Sequence, residues 1–227
     1  MIPFMVRNQI ESALAAPAGR DAFAQRMTTL ADDQGIVLFQ DDLEGLIVLA
    51  ERYVRGTMRL LENCEIAARQ GRVEAMFEPL IKACCEFFLT PPEVMTDQGG
   101  LLGMTADSYL ARSLIAIESG RMMTVRGFPL LATDPHDEEP VIRTMIGVDL
   151  ANTLYDLAER LHDSPQIRFY GNSAYVLQGP LRASATLNDW GGSWRDDALQ
   201  FARKVGLTLD GGDARPDAPG QTAATMR

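Results

Sequence analysis

The sequence predicts a mainly α-helical (α+β) fold, a multi-helix bundle with a small β-hairpin element and a disordered C-terminal tail. Three observations predict it. Apolar residues recur with a 3.6-residue period over two long stretches, Asp41 to Gln70 and Pro140 to Leu161. A Gly-Asn-Ser turn at 171–173 separates two short apolar runs. From Asp210 onward the chain is mostly Gly, Pro, Ala and Asp with one large apolar side chain, Met226, too little apolar surface to offset the entropy of ordering. Residues 1–209 are therefore read as one domain and 210–227 as a tail.

Along the chain, a short helix is expected near Gln9 to Ala15 and another over Asp21 to Asp33, stopped by Gly35. The next helix opens on Asp41, with Glu44 three residues later as a capping-box partner. Leu43, Ile47, Ala50, Val54, Met58, Leu61 and Ala68 share one arc of it. Gly45 and Gly56 each cost about 1 kcal/mol inside a helix, so they mark a close neighbour or a weak point. A helix over 72–89 carries Phe77, Leu80, Cys84 and Phe88, with Pro79 expected to kink it or to open a fresh helix. Asp97 to Gly103 reads as a glycine-rich loop, and Thr105 as the cap of a helix over 105–119, with Gly120 just beyond its end.

The region 122–133 loses the helical period and is assigned to a β element together with 167–178. Ile142, Met145, Ile146, Leu150, Leu154, Leu157 and Leu161 then form one apolar stripe, a single helix over 138–162. Ser193 is expected to cap the last helix, through Leu199, Phe201, Ala202 and Val205. The core should come from the helices 41–70, 72–89, 105–119 and 138–162.

Composition bounds the function. With 46% hydrophobic and 23% charged residues in 227, the chain has a globular make-up. No apolar run approaches the roughly 20 residues of a membrane span, and no secretion signal is evident, so the expected location is the cytoplasm. The net charge of −10 disfavours general nucleic-acid binding and makes a basic protein the electrostatic complement. Lys82 and Lys204 are the only lysines against 19 arginines, which with the abundant alanine reads as GC-rich, bacterial coding. Cys64, Cys84 and Cys85 are odd in number and lack CxxC spacing; reduced core thiols are expected.

Few residues point to chemistry. His136 and His162 are the only histidines, each followed by Asp. One uninterrupted helix between them would hold them roughly 35 to 40 Å apart, too far to share a metal. Glu159 and His162 have ExxH spacing, which puts a carboxylate and an imidazole on one helix face. That pair is the metal-ligating alternative, for iron, manganese or zinc. Against it, an imidazole at a helix C-terminus is favoured by the dipole without any metal. The acidic cluster Asp134, Asp137, Glu138 and Glu139 is accounted for by the first turn of the following helix. Arg52, Arg55 and Arg59 lie within an arc of about 60°, opposite the apolar stripe, and are the candidate polar binding surface, balanced by acids such as Glu51. Trp190 and Trp194 are the candidate aromatic contacts.

These readings favour a non-enzymatic, acidic, cytoplasmic interaction or regulatory protein. Inhibitor or immunity-type proteins and assembly subunits belong to that class, and a homo-oligomer is compatible with it. The alternative is a metal-dependent enzyme around Glu159 and His162.

Overall fold

The structure, a computed structural model, describes residues 4–70, 74–90, 99–127, 139–164 and 188–209. Among these residues the regular structure is helical: α1 (Phe4–Ala15), α2 (Pro17–Asp33), α3 (Gln40–Gln70), α4 (Glu74–Leu89), α5 (Gly100–Arg126), α6 (Glu139–Ile146), α7 (Val148–His162) and α8 (Asn188–Val205). The helix α5 is the axis. It packs against α1, α2, α3, α4, α6 and α7, while α8 lies mainly on α3.

The apolar stripes of α3 and α4 supply much of the core. Ile47, Ala50, Val54, Met58, Leu61 and Ala68 of α3 are buried, as are Phe77, Leu80, Cys84 and Phe88 of α4. The start of α3 differs by a small shift: Asp42, not Glu44, reaches back to accept the Phe39 N–H at 3.1 Å. The capping pair is thus Phe39 and Asp42, which satisfies a free N–H ahead of the first turn. Pro79 lies inside one continuous α4, so no fresh helix begins there. Gly45 does mark a close neighbour, because a Cβ there would collide with the Phe201 ring of α8.

Several boundaries move outward. The first helix begins at Phe4 and the second at Pro17, whose fixed φ suits a first helical turn. The helix α5 starts five residues before Thr105, and the Thr105 hydroxyl bonds back to Leu101 C=O at 2.8 Å inside it. Gly100 and Gly103 therefore belong to the helix and not to a loop. At the other end α5 passes Gly120 and stops only at Gly127, whose φ of +79° closes it with a Gly127 N–H bond to Met123 C=O. Residues 122–126 of the expected β element are accordingly helical. There is no strand among the described residues, and the hairpin at 167–178 and the tail 210–227 lie outside them.

From Leu101 to Ile115 α5 is covered on nearly every side, so no single stripe stands out there. Small residues let its neighbours close in. Gly19 of α2 meets Gly100 so tightly that a Cβ on Gly19 would lie 2.9 Å from Gly100 Cα. Gly100 also has φ +64°, where a side chain adds strain. Both surfaces in that contact are backbone and cannot rotate away. Gly19→Val is therefore expected to lower stability by about 1–3 kcal/mol or more, seen as a lower melting temperature by circular dichroism. An unchanged melt would mean α2 can slide off α5.

The expected helix over 138–162 is two helices. Gly147 has φ +95° and ψ 135°, a conformation open to glycine and strained for other residues. Its N–H closes α6 on Arg143 C=O and its C=O opens α7 by accepting from Ala151, both at 2.9 Å. The apolar period runs across the break with too little phase change to reveal it. Likewise α8 begins at Asn188, five residues ahead of Ser193, so Trp190 and Trp194 sit in its first two turns.

Candidate functional site

Two groups of buried polar side chains hang from α5. The first joins its C-terminal half to the end of α7. His162 is 8% exposed, and its Nε2 lies 2.9 Å from Glu118 Oε2. Arg121 donates to the same carboxylate, Nε at 2.8 Å to Oε2 and Nη2 to Oε1, a two-pronged ion pair. Burial alone would raise the Glu118 carboxyl, but the hydrogen bonds and charges of His162 and Arg121 outweigh it and hold it below the ordinary carboxylate range. An ionised carboxylate can only accept, so His162 Nε2 carries a hydrogen and points it inward. Its Nδ1 is 3.8 Å from Asp163 Oδ1 at the helix end.

The second group lies in the N-terminal half of α5. Arg112 is buried, its guanidinium carbon 4.3 Å from the centre of the Tyr53 ring, and its Nε donates to the Thr57 hydroxyl at 2.7 Å. Asp107, with no exposed surface, has no hydrogen-bond partner for either carboxyl oxygen among the described residues. Burial pushes its pKa up to about 8, and burial is the sole cause. Asp107 is thus a neutral acid at pH 7. Several buried hydroxyls of the core bond back one turn, as Thr57 does to Tyr53 and Ser113 to Tyr109, whereas the Ser108 hydroxyl beside Asp107 in the chain has no partner among the described residues.

The residues singled out from sequence are dispersed. Glu159 is exposed, whereas His162 is turned onto Glu118, so the ExxH pair is not gathered on a shared ligand. Among the described residues no three His, Cys, Asp or Glu side chains converge as metal donors. His136 lies outside the described residues. The break at Gly147 also removes the uninterrupted helix on which its separation from His162 was argued.

The arginine trio divides between structural pairs. Arg52 reaches Asp197 of α8 at 3.2 Å. Arg55 pairs with Glu51 at 3.1 Å and with Glu11 of α1 at 3.5 Å, and Glu51 also takes Arg20 of α2 at 2.6 Å. Arg59 is exposed and joins neither. Trp190 and Trp194 are on α8, and the description does not extend to their side chains.

The three cysteines are free and buried. Desolvation raises Cys64 to about 12 and Cys85 to about 11, with Cys84 shifted the same way, which removes the thiolate character that reactive cysteines need. An open cleft of about 380 Å³ lies at the α6–α7 break, lined by Arg26, Leu30, Thr144, Gly147 and Asp149 among others. It holds no cysteine or histidine and sets one guanidinium beside one carboxylate.

Glu118, Arg121, Asp107 and Arg112 were not singled out from sequence. The available signal was charged residues interrupting an otherwise apolar and small-residue helix, and the missing piece was that nearly every side of that helix is covered. No helix among the described residues is long and apolar enough to cross a membrane. No family model, no curated protein and no solved structure matches this chain.

Proposed function

We propose that this is a non-enzymatic, acidic protein of the bacterial cytoplasm that acts by binding another protein with a basic surface. The observation that carries the reading is the engagement of His162. The one described histidine is buried and bonded to Glu118, which Arg121 also holds, and so it ties α7 to α5. The thiols are likewise withdrawn, and two of the three arginines on the α3 face hold neighbouring helices. What is left for contact is the surface of a chain whose formal net charge is −10, suited to steering a cationic partner. Inhibitors that mask a basic partner and subunits of a larger assembly are the two forms this takes.

The test is affinity capture on the immobilised full chain. A protein partner should be retained at about 50 mM salt and released as ionic strength rises, because screening shortens the reach of surface charge from ~14 Å to a few Å. Retention indifferent to salt would overturn the basic-partner reading. Elemental analysis of protein purified without chelator runs beside it. Stoichiometric iron, manganese or zinc, with turnover of a small substrate, would replace the reading with an enzymatic one.

A further inference from the structure

The segment between α2 and α3 is an apolar tetrad, Ile36-Val37-Leu38-Phe39, with a pair of aspartates close to each end: Asp32 and Asp33 before it, Asp41 and Asp42 after it. Residues 36–39 belong to no helix, and the exposure of their side chains alternates. Ile36 and Leu38 are partly buried against the core. Val37 and Phe39 point outward and are 76% and 71% exposed, among the most exposed large apolar residues described. This is the period-2 pattern of a strand packed on one face only.

Both ends of the tetrad are held. On the α2 side Gly35, with φ +71°, turns the chain, and Ile36 N–H bonds to Ala31 C=O at 2.8 Å. Gln34 grips the main chain of Thr208 twice, accepting its N–H at 2.9 Å and donating to its C=O at 3.5 Å. On the α3 side Phe39 N–H is bonded to Asp42, and Phe39 C=O accepts from Asp42 and Leu43. Between these clamps the N–H and C=O groups of Val37 and Leu38 have no hydrogen-bond partner among the described residues. The middle of the tetrad is a backbone edge whose donors and acceptors are unpaired among the described residues.

Such an edge is completed by main-chain pairing with another extended chain, which supplies affinity through backbone hydrogen bonds and register through alternate side chains. The flanking charge selects which chain. Asp32 and Asp33 are exposed at the C-terminal end of α2, where the helix dipole is already negative and no basic residue sits in the last turn. Asp41 is exposed beyond the other end. A second copy of this chain would bring four aspartates against four, and like charges oppose that pairing.

We propose that Ile36–Phe39 is a docking edge for an extended segment of the partner protein, an apolar β-forming stretch flanked on both sides by lysine or arginine. The proposal rests on the interaction reading above and names its site. Val37 and Phe39 take up the partner's apolar side chains on the exposed face. Val37 and Leu38 supply the main-chain bonds, and the aspartate pairs meet the basic flanks.

The probe is a synthetic peptide, Lys-Lys-Thr-Val-Ile-Val-Thr-Lys-Lys, titrated against the full chain by fluorescence anisotropy. Saturable binding is expected, weakened at least tenfold by Phe39→Ser and at least tenfold when the peptide's central amides are N-methylated. Asp32→Asn with Asp33→Asn should flatten its salt dependence. Both Val37 and Phe39 are exposed, so these variants should keep the parent's melting temperature. Absence of peptide binding, or equal binding by Phe39→Ser or by the N-methylated peptide, would overturn the docking edge. Sedimentation of the protein alone is the companion measurement, and a dimer abolished by Phe39→Ser would assign the edge to a second copy instead. The two levels separate in the capture assay. A partner retained equally by the parent and Phe39→Ser overturns this site and leaves the interaction reading standing, whereas salt-independent retention by both overturns the reading itself.

Discussion

At pH 8 the Asp107→Asn protein is expected to melt well above its parent, by roughly 5 to 15 °C, and at pH 4 to 5 by much less. Burial holds the Asp107 carboxyl at about 8 in the folded protein, against an ordinary value of 3.8. Between those values the unfolded chain releases the proton and the folded chain keeps it. The native state then binds more protons than the unfolded one, and stability falls as pH rises, by at most about 1.4 kcal/mol per pH unit. Above the folded pKa the loss levels off. Asparagine has the same shape and no charge to desolvate, so it removes this slope while leaving the fully buried site filled. Thermal melts of both proteins from pH 4 to pH 9 check it. A constant difference across that range would mean Asp107 is ionised or hydrogen-bonded in the folded protein.

Glu118→Ala should be among the most damaging single changes to a charged residue, costing about 3–5 kcal/mol, or a fall in melting temperature of roughly 6 to 20 °C. It strips the buried His162 of its bond and Arg121 of its two-pronged partner together. The pH signature is opposite to that of Asp107. Glu118 titrates below its ordinary value in the fold, so its contribution is present above the unfolded pKa and is lost as pH falls through the folded one. In the variant this acid-side loss should shrink. Glu118→Gln retains a hydrogen-bond acceptor and should recover part of the stability without the charge. If Glu118→Ala folds as stably as the parent, the network is not what ties α7 to α5.

The contrast between these two acids shows where reading by residue pattern runs short. Both are carboxylates on one helix, eleven positions apart, and along the chain they differ only in that Glu118 has an arginine, Arg121, one turn ahead. Glu118 meets a histidine that is 44 residues away in sequence, while Asp107 meets no partner among the described residues. The arginine trio teaches the same lesson from the surface side. Arg52, Arg55 and Arg59 do share a helix face, but α8 and α1 bring Asp197 and Glu11 to that face and convert two of the three into links between helices. The ExxH spacing correctly placed Glu159 and His162 near the end of α7. It could not show that the imidazole turns onto α5 and leaves Glu159 exposed.

The sequence by itself determined the helical class, the stripes of α3 and α4 as core and the buried cysteines. These follow from local period, capping residues and composition, which act within a few residues along the chain. Only the tertiary structure decided that the helix over 138–162 breaks at Gly147, that α5 runs from Gly100 to Arg126, and which charges are buried together. A one-residue break leaves the apolar period almost in phase, and a helix covered on nearly all sides has no stripe to count. Burial and pairing are set by what other elements bring alongside, and that information is spread over separations of tens to more than a hundred residues.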